Sequence, residues 1–143
     1  MINIQINNLY KDFSFKSSPI KKISEKVLTD SNYSKVDLNF IFCDDLKLNR
    51  LKIEYFNEDV LTDVLTFPLR NDTVLESEIY ISVDRAIDNA KDNNVTLENE
   101  AMRLIVHSLL HLLGYNDDNK ERKEEMFLKQ ENYIKQLSTI KIL

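Results

Sequence analysis

His107 and His111 are the only histidines in this 143-residue chain, and they stand four apart in the run His107-Ser108-Leu109-Leu110-His111-Leu112-Leu113-Gly114-Tyr115-Asn116-Asp117. On an α-helix, which advances about 100° per residue, residues i and i+4 lie one turn apart and about 40° apart in azimuth. Two imidazoles so placed can converge on one point, the geometry of a two-histidine metal clamp. Random placement of two residues in a chain of this length gives a separation of four roughly once in seventy. Packed core histidines use the same spacing, so the pair alone does not choose between the two readings. Gly114 tips the balance, being the only glycine in the chain, where average usage would give about ten. It stands three residues past His111, where a helix ends in a left-handed conformation that glycine adopts cheaply. Such a stop turns the chain back toward the helix end and places Asp117, ten residues after His107, as a third ligand. Asp117 and Asp118 also suit the cap of a following helix, Asp118 the better of the two. A carboxylate is a legitimate zinc ligand, and three protein ligands with one open position mark a catalytic rather than a structural site. The residues therefore point to a small metal-dependent hydrolase. In the HExxH motif of metalloproteases the general base follows the first histidine directly, and Ser108 cannot do that work.

The elements that must hold these residues follow from periodicity and caps. Met1 to Asn7 alternates like a strand, and Val36 to Cys43 reads as another before it becomes continuously apolar. Ser18-Pro19 opens a helix that carries Ile20, Ile23 and Val27 to about Asp30. Asp44-Asp45 caps a helix from Leu46 to about Asn57. Leu61 to Leu69 is extended, and a strand follows at Glu78 to Val83. Two helices open at Ser82 or Asp84 and at Thr96, the second with Glu98 and Glu100 near its positive end. A last helix runs from about Asp118 to Leu137, with Met126, Phe127, Tyr133, Ile134 and Leu137 as its apolar residues. Strands and helices are interspersed with no repeat or linker, which predicts an α+β fold in one domain over residues 1–143.

Composition sets outer bounds. The net charge of -5 is uneven: residues 1–52 carry nine Lys/Arg against six Asp/Glu, and residues 53–100 three against twelve. A polyanionic partner must then meet a local basic surface, for which Lys16, Lys21, Lys22 and Lys26 are candidates, although a solvated helix face explains them equally well. Cys43 is the sole cysteine, which excludes an internal disulfide and predicts a small buried core residue. The N-terminus lacks the basic start and apolar run of a signal peptide, and no stretch reaches the roughly 20 apolar residues of a membrane span. A soluble, cytoplasmic protein with no membrane partner is expected.

The segment His107-Ser-Leu-Leu-His111-Leu-Leu-Gly114-Tyr115 resembles the signature HGxLHLxGYDH of the YbeY family, bacterial metalloendoribonucleases of ribosomal RNA maturation. Leu48-Asn49-Arg50 and Thr62-Asp63-Val64-Leu65-Thr66-Phe67-Pro68 resemble that family's LN and TDVLSFP blocks, and Ile79-Tyr80-Ile81-Ser82 its GDIxIS strand. The resemblance covers about residues 36–137. Departures accompany it. Asp117 stands where most members have a third histidine, which makes the site more anionic and shifts its metal preference. Ser108 replaces a glycine, Asn116 an aspartate and Ser77-Glu78 a Gly-Asp pair. The family's active-site arginine falls at Phe56, which leaves no cation there to stabilise phosphate charge in a transition state, with Arg50 and Arg70 as possible substitutes.

What the resemblance implies is a small mixed sheet packed with helices and a zincin-like metal-binding helix. One Zn²⁺ per chain would be held by His107, His111 and Asp117, with Asp63 as a catalytic carboxylate by its family position; a turn residue before a strand is the plain alternative for Asp63. The implied activity is cleavage of single-stranded RNA in the maturation of 16S precursor rRNA. Ribosomal subunits would be partners, together with ribosome-assembly proteins. Two other classes compete: a metalloprotease-like hydrolase, which shares the helix clamp, and an assembly factor that binds RNA without cutting it.

Overall fold

The computed structural model describes residues 1–143 as four strands and five helices. Strands β1 (Ile2–Asn8), β2 (Lys35–Cys43), β3 (Val64–Asn71) and β4 (Val74–Ser82) form one sheet in the order β1-β2-β4-β3. β1, β2 and β4 run parallel, and β3 returns antiparallel along the edge. The register aligns Ile4, Leu38 and Ser77 in one row and Ile6, Phe40 and Ile79 in the next. Alternation therefore sends one set of side chains to a common face, where Val36, Leu38, Phe40, Phe42, Leu75, Ile79 and Ile81 build the main core.

Helices α1 (Ser17–Val27) and α4 (Leu97–Leu112) contribute to that core, α1 through Ile20, Ile23 and Val27, and α4 through Ala101, Leu104, Ile105 and Leu109. α5 (Lys120–Gln136) packs on α4 and adds Met126 and Ile134. The opposite face of the sheet is covered only at one end, where α2 (Asp45–Phe56) seats Leu48 against Cys43 and Leu65, with Phe67 and Tyr80 beside them. The rest of that face carries Gln5, Asn39, Glu76 and Glu78. A parallel sheet is usually covered on both sides and reads as continuous apolar runs; here one side is wet, and β1 alternates for that reason.

The capping expectations hold at three helices. Asp44 accepts from the Lys47 N–H at 2.9 Å, Ser82 from that of Arg85 at 3.2 Å, and Thr96 from that of Asn99 at 3.0 Å, so α3 (Val83–Asp92) opens at Ser82 rather than Asp84. Elsewhere the boundaries move. α1 begins at Ser17 without a side-chain cap and ends at Val27, short of Asp30; its start is tied by the Lys16 N–H to Ile142 O at 2.8 Å, a tertiary contact that no local pattern announces. β4 begins at Val74 rather than Glu78, and the final helix is capped by Asn119, which accepts from the Arg122 N–H at 2.8 Å, rather than by Asp118. Asp118 instead pairs with Arg122 at 3.8 Å on the surface. No helix is long and apolar enough to cross a membrane.

Candidate metal centre

α4 is buried along most of its circumference, and its fully covered residues include Ile105, Val106, Leu109 and Leu110. The two histidines occupy the strip left partly open. Their rings lie 4.7 Å apart, nearly perpendicular at 82°, as one helical turn dictates. Both line a cavity of about 610 Å³. β3 and the segment before it supply the far wall with Thr62, Asp63, Thr66 and Pro68; α2 supplies Lys52 and Phe56; the loop after α4 supplies Asp117.

The helix ends as the lone glycine predicts. Gly114 has φ +102°; its N–H bonds to His111 O and the Tyr115 N–H to Leu110 O, both at 3.0 Å. That pair of bonds is a Schellman motif, which satisfies the last carbonyls and reverses the chain. The reversal brings Asp117 to the cavity that holds the histidines. Asp117 is exposed, and no three His, Cys, Asp or Glu side chains converge into a closed ligand cluster. The two imidazoles are thus placed in advance, and the carboxylate stands at the same cavity without completing the set.

A chain of hydrogen bonds determines which nitrogen of His107 is available. Arg103 donates through Nε and Nη2 to Glu131 at 2.8 and 3.0 Å, and these bonds hold the Glu131 carboxyl below its usual range. An ionised carboxylate only accepts. Gln130, nine-tenths buried, places its Nε2 against Glu131 at 3.0 Å, so its Oε1 is the atom that faces His107 Nδ1 at 2.7 Å. Nδ1 must then carry the proton, which leaves the Nε2 lone pair for a ligand. This is the outer support that metal-binding histidines use to fix tautomer and ring orientation. His111 has its pKa pushed below the ordinary value by burial and by the neighbouring His107, against the pull of Asp117. Two imidazoles on one face of a helix with a nearby carboxylate fit a divalent transition metal.

The remaining expected residues separate. Asp63 lines the cavity, and its Oδ2 accepts from Asn89 Nδ2 at 3.3 Å. Ser108 is fully buried and donates to Ile105 O at 2.7 Å, so its hydroxyl is consumed by its own helix. Neither Arg50 nor Arg70 lines the cavity; Arg70 is exposed and bonds Asp72 at 3.0 Å. Cys43 is buried as expected, its thiol pushed up to about 12 by burial first and by Asp44 next. Gln130, Asn89 and Lys52 were missed from sequence. The first two reach the site from other helices, while Lys52 had a signal, since it precedes Phe56 by one turn of α2.

Residues 5–138 match the family model described as Endoribonuclease YbeY. The Endoribonuclease YbeY of Amoebophilus asiaticus is 39% identical over 134 residues, covering 89% of this chain and 91% of the relative. That of Flavobacterium johnsoniae is 37% identical over 108 residues, covering 76% and 78%. Among solved structures, a solution structure of a Thermotoga maritima protein superposes with a TM-score of 0.65 at 28% identity, covering 96% of this chain and 89% of that one.

Proposed function

The chain belongs to the YbeY endoribonuclease family, and on that premise we propose that it is a zinc-dependent, single-strand endoribonuclease acting in 16S rRNA maturation on cytoplasmic ribosomal subunits. Its domain is the whole of residues 1–143, His107, His111 and Asp117 are the metal ligands, and Asp63 is a catalytic carboxylate. The observation that carries the reading is the Arg103–Glu131–Gln130–His107 relay, which presents one imidazole in the tautomer a metal needs beside a second. When bound, the ion supplies Lewis acidity, which polarises a phosphoryl oxygen and lowers the pKa of a coordinated water toward neutrality.

The chain's own residues do the rest. His107 and His111 would hold the ion through ring nitrogens presented from one face of α4, with His107 fixed in orientation by Gln130. Asp63 is anchored through one oxygen by Asn89, which leaves the other to take a proton from the attacking water. Asp117 stands on the loop after Gly114, exposed at the edge of the same cavity. A peptidase reading finds no support, because the hydroxyl of Ser108 at the metalloprotease base position is buried and bonded within α4.

Elemental analysis of the purified protein tests the centre: close to one transition metal per chain is expected, lost in Asp117→Ala. A metal-free native protein of unchanged stability refutes it. Mapping 16S rRNA ends in cells that carry only His111→Ala tests the activity, since mature ends at parental levels count against catalysis and for a binding role in assembly.

A further inference from the structure

The cavity that receives the RNA in this reading has acidic walls. Asp63 and Asp117 both line it, and their two charges would offset those of the bound ion, so a phosphodiester meets no surplus of positive charge unless a further cation intervenes. Of the 14 residues that line it, Lys52 alone is a lysine or arginine. No arginine lines the cavity, and two of them are already engaged elsewhere. Arg103 is shared between Glu131 and Glu100, and Arg85 between Asp45 and Asp88.

Lys52 differs from the exposed lysines of α1 in being held. Its side chain is only 18% exposed, and its ammonium lies 4.9 Å from the centre of the Phe56 ring, a cation–π contact that places the charge without neutralising it. Its one carboxylate partner, Glu58, is 3.8 Å away and itself 56% exposed. An ion pair at the edge of the contact range and open to solvent is worth little, so the charge remains available to a stronger anion.

We propose that Lys52 is a catalytic residue whose ammonium, steadied on the Phe56 ring, binds a non-bridging oxygen of the phosphate that is cut. The bond strengthens as that oxygen gains charge toward the transition state, and Glu58 is displaced when RNA enters. This rests on the endoribonuclease reading above, and the test separates the two. Lys52→Met keeps the aliphatic stem over Phe56 and removes the charge; Lys52→Arg keeps the charge. With metal-loaded protein and an unstructured RNA oligonucleotide, kcat of Lys52→Met falls about 10²–10³-fold, as for loss of one oxyanion donor, and Lys52→Arg restores most of it. Bound metal and melting temperature stay at parental values. The slope of log(kcat/KM) against log[salt] becomes shallower by about 0.7, the share of one phosphate contact in a single strand. A rate within about threefold of the parent, far below the loss of such a donor, overturns the inference. So does loss of bound metal in Lys52→Met, or an Arg variant no better than the Met variant. If the parent itself cuts nothing, the endoribonuclease reading fails first, and RNA affinity by fluorescence anisotropy decides for Lys52: an unchanged salt slope in Lys52→Met refutes a phosphate contact, and a shallower one supports it.

Discussion

Replacing Gln130 by Met isolates the support of the metal site from the site itself. The two side chains have similar length and volume, so packing between α4 and α5 is kept, while the acceptor 2.7 Å from His107 Nδ1 disappears. Two costs follow. The Nδ1–H, formerly paired with a nine-tenths buried amide, loses its partner, which costs stability by about 1–3 kcal/mol where no water replaces it. The imidazole is also released from the tautomer that frees Nε2, and its ring from one orientation. Removing such an outer partner lowers metal affinity about 10–100-fold, equivalent to about 1.4–2.7 kcal/mol. Competition for Zn²⁺ between the metal-free protein and a chromophoric chelator at neutral pH measures the second cost, and urea unfolding of the same samples measures the first. The decisive comparison is a cycle with His107→Ala. If Gln130 acts through His107, Gln130→Met has no further effect on affinity once the imidazole is gone. Parental affinity in Gln130→Met, or an equal loss in the His107→Ala background, refutes the relay and leaves Gln130 as a helix-packing residue.

Three further outcomes follow from single groups. Gly114→Ala should destabilise by about 1–3 kcal/mol, the usual cost of a strained backbone, because φ is +102° while no atom lies within 4 Å of an added Cβ; an unchanged urea midpoint would contradict this. His111 has a depressed native pKa, so below its ordinary value of 6.5 the unfolded chain binds a proton that the native, metal-free ring resists. That contribution to stability is intact above pH 6.5 and is lost as pH falls from there through the depressed value. Melting temperature against pH should therefore decline less steeply across that window in His111→Gln, and identical slopes would rule the effect out. Cys43, at 1% exposure and with its thiol pushed up to about 12, should resist iodoacetamide at neutral pH until denaturant is added; stoichiometric labelling of native protein is the contrary result.

The fold was legible where information is local. The caps at Asp44, Ser82 and Thr96 each act through an N–H three residues on, and β2 announces itself because burial on both faces at its end leaves a run from Phe40 to Cys43 with no polar residue. β4 was shortened in the sequence reading because Ser77 points into the core, where its hydroxyl donates to Phe67 O at 3.1 Å. That bond is made across the sheet to β3, and nothing local distinguishes Ser77 from an outward-facing polar residue. Sheet order was not legible either: β2 separates β1 from β4 through two parallel ladders, and parallel pairing leaves no short turn to read.

The same division runs through the candidate metal centre. His107 and His111 were visible because one helix carries both, and helical geometry alone sets their 4.7 Å separation. The relay that gives His107 its tautomer spans 23 residues to Gln130 on another helix, and alternation or heptad logic cannot see a pairing that exists only once α5 docks on α4. Asp117 was visible by spacing but stands exposed on the loop that Gly114 turns back. A metal would thus meet two imidazoles set by one helix and a carboxylate standing exposed at the edge of the same cavity. A ligand at that open edge would leave the centre able to exchange a position for a substrate oxygen or water, as a catalytic rather than a structural site requires.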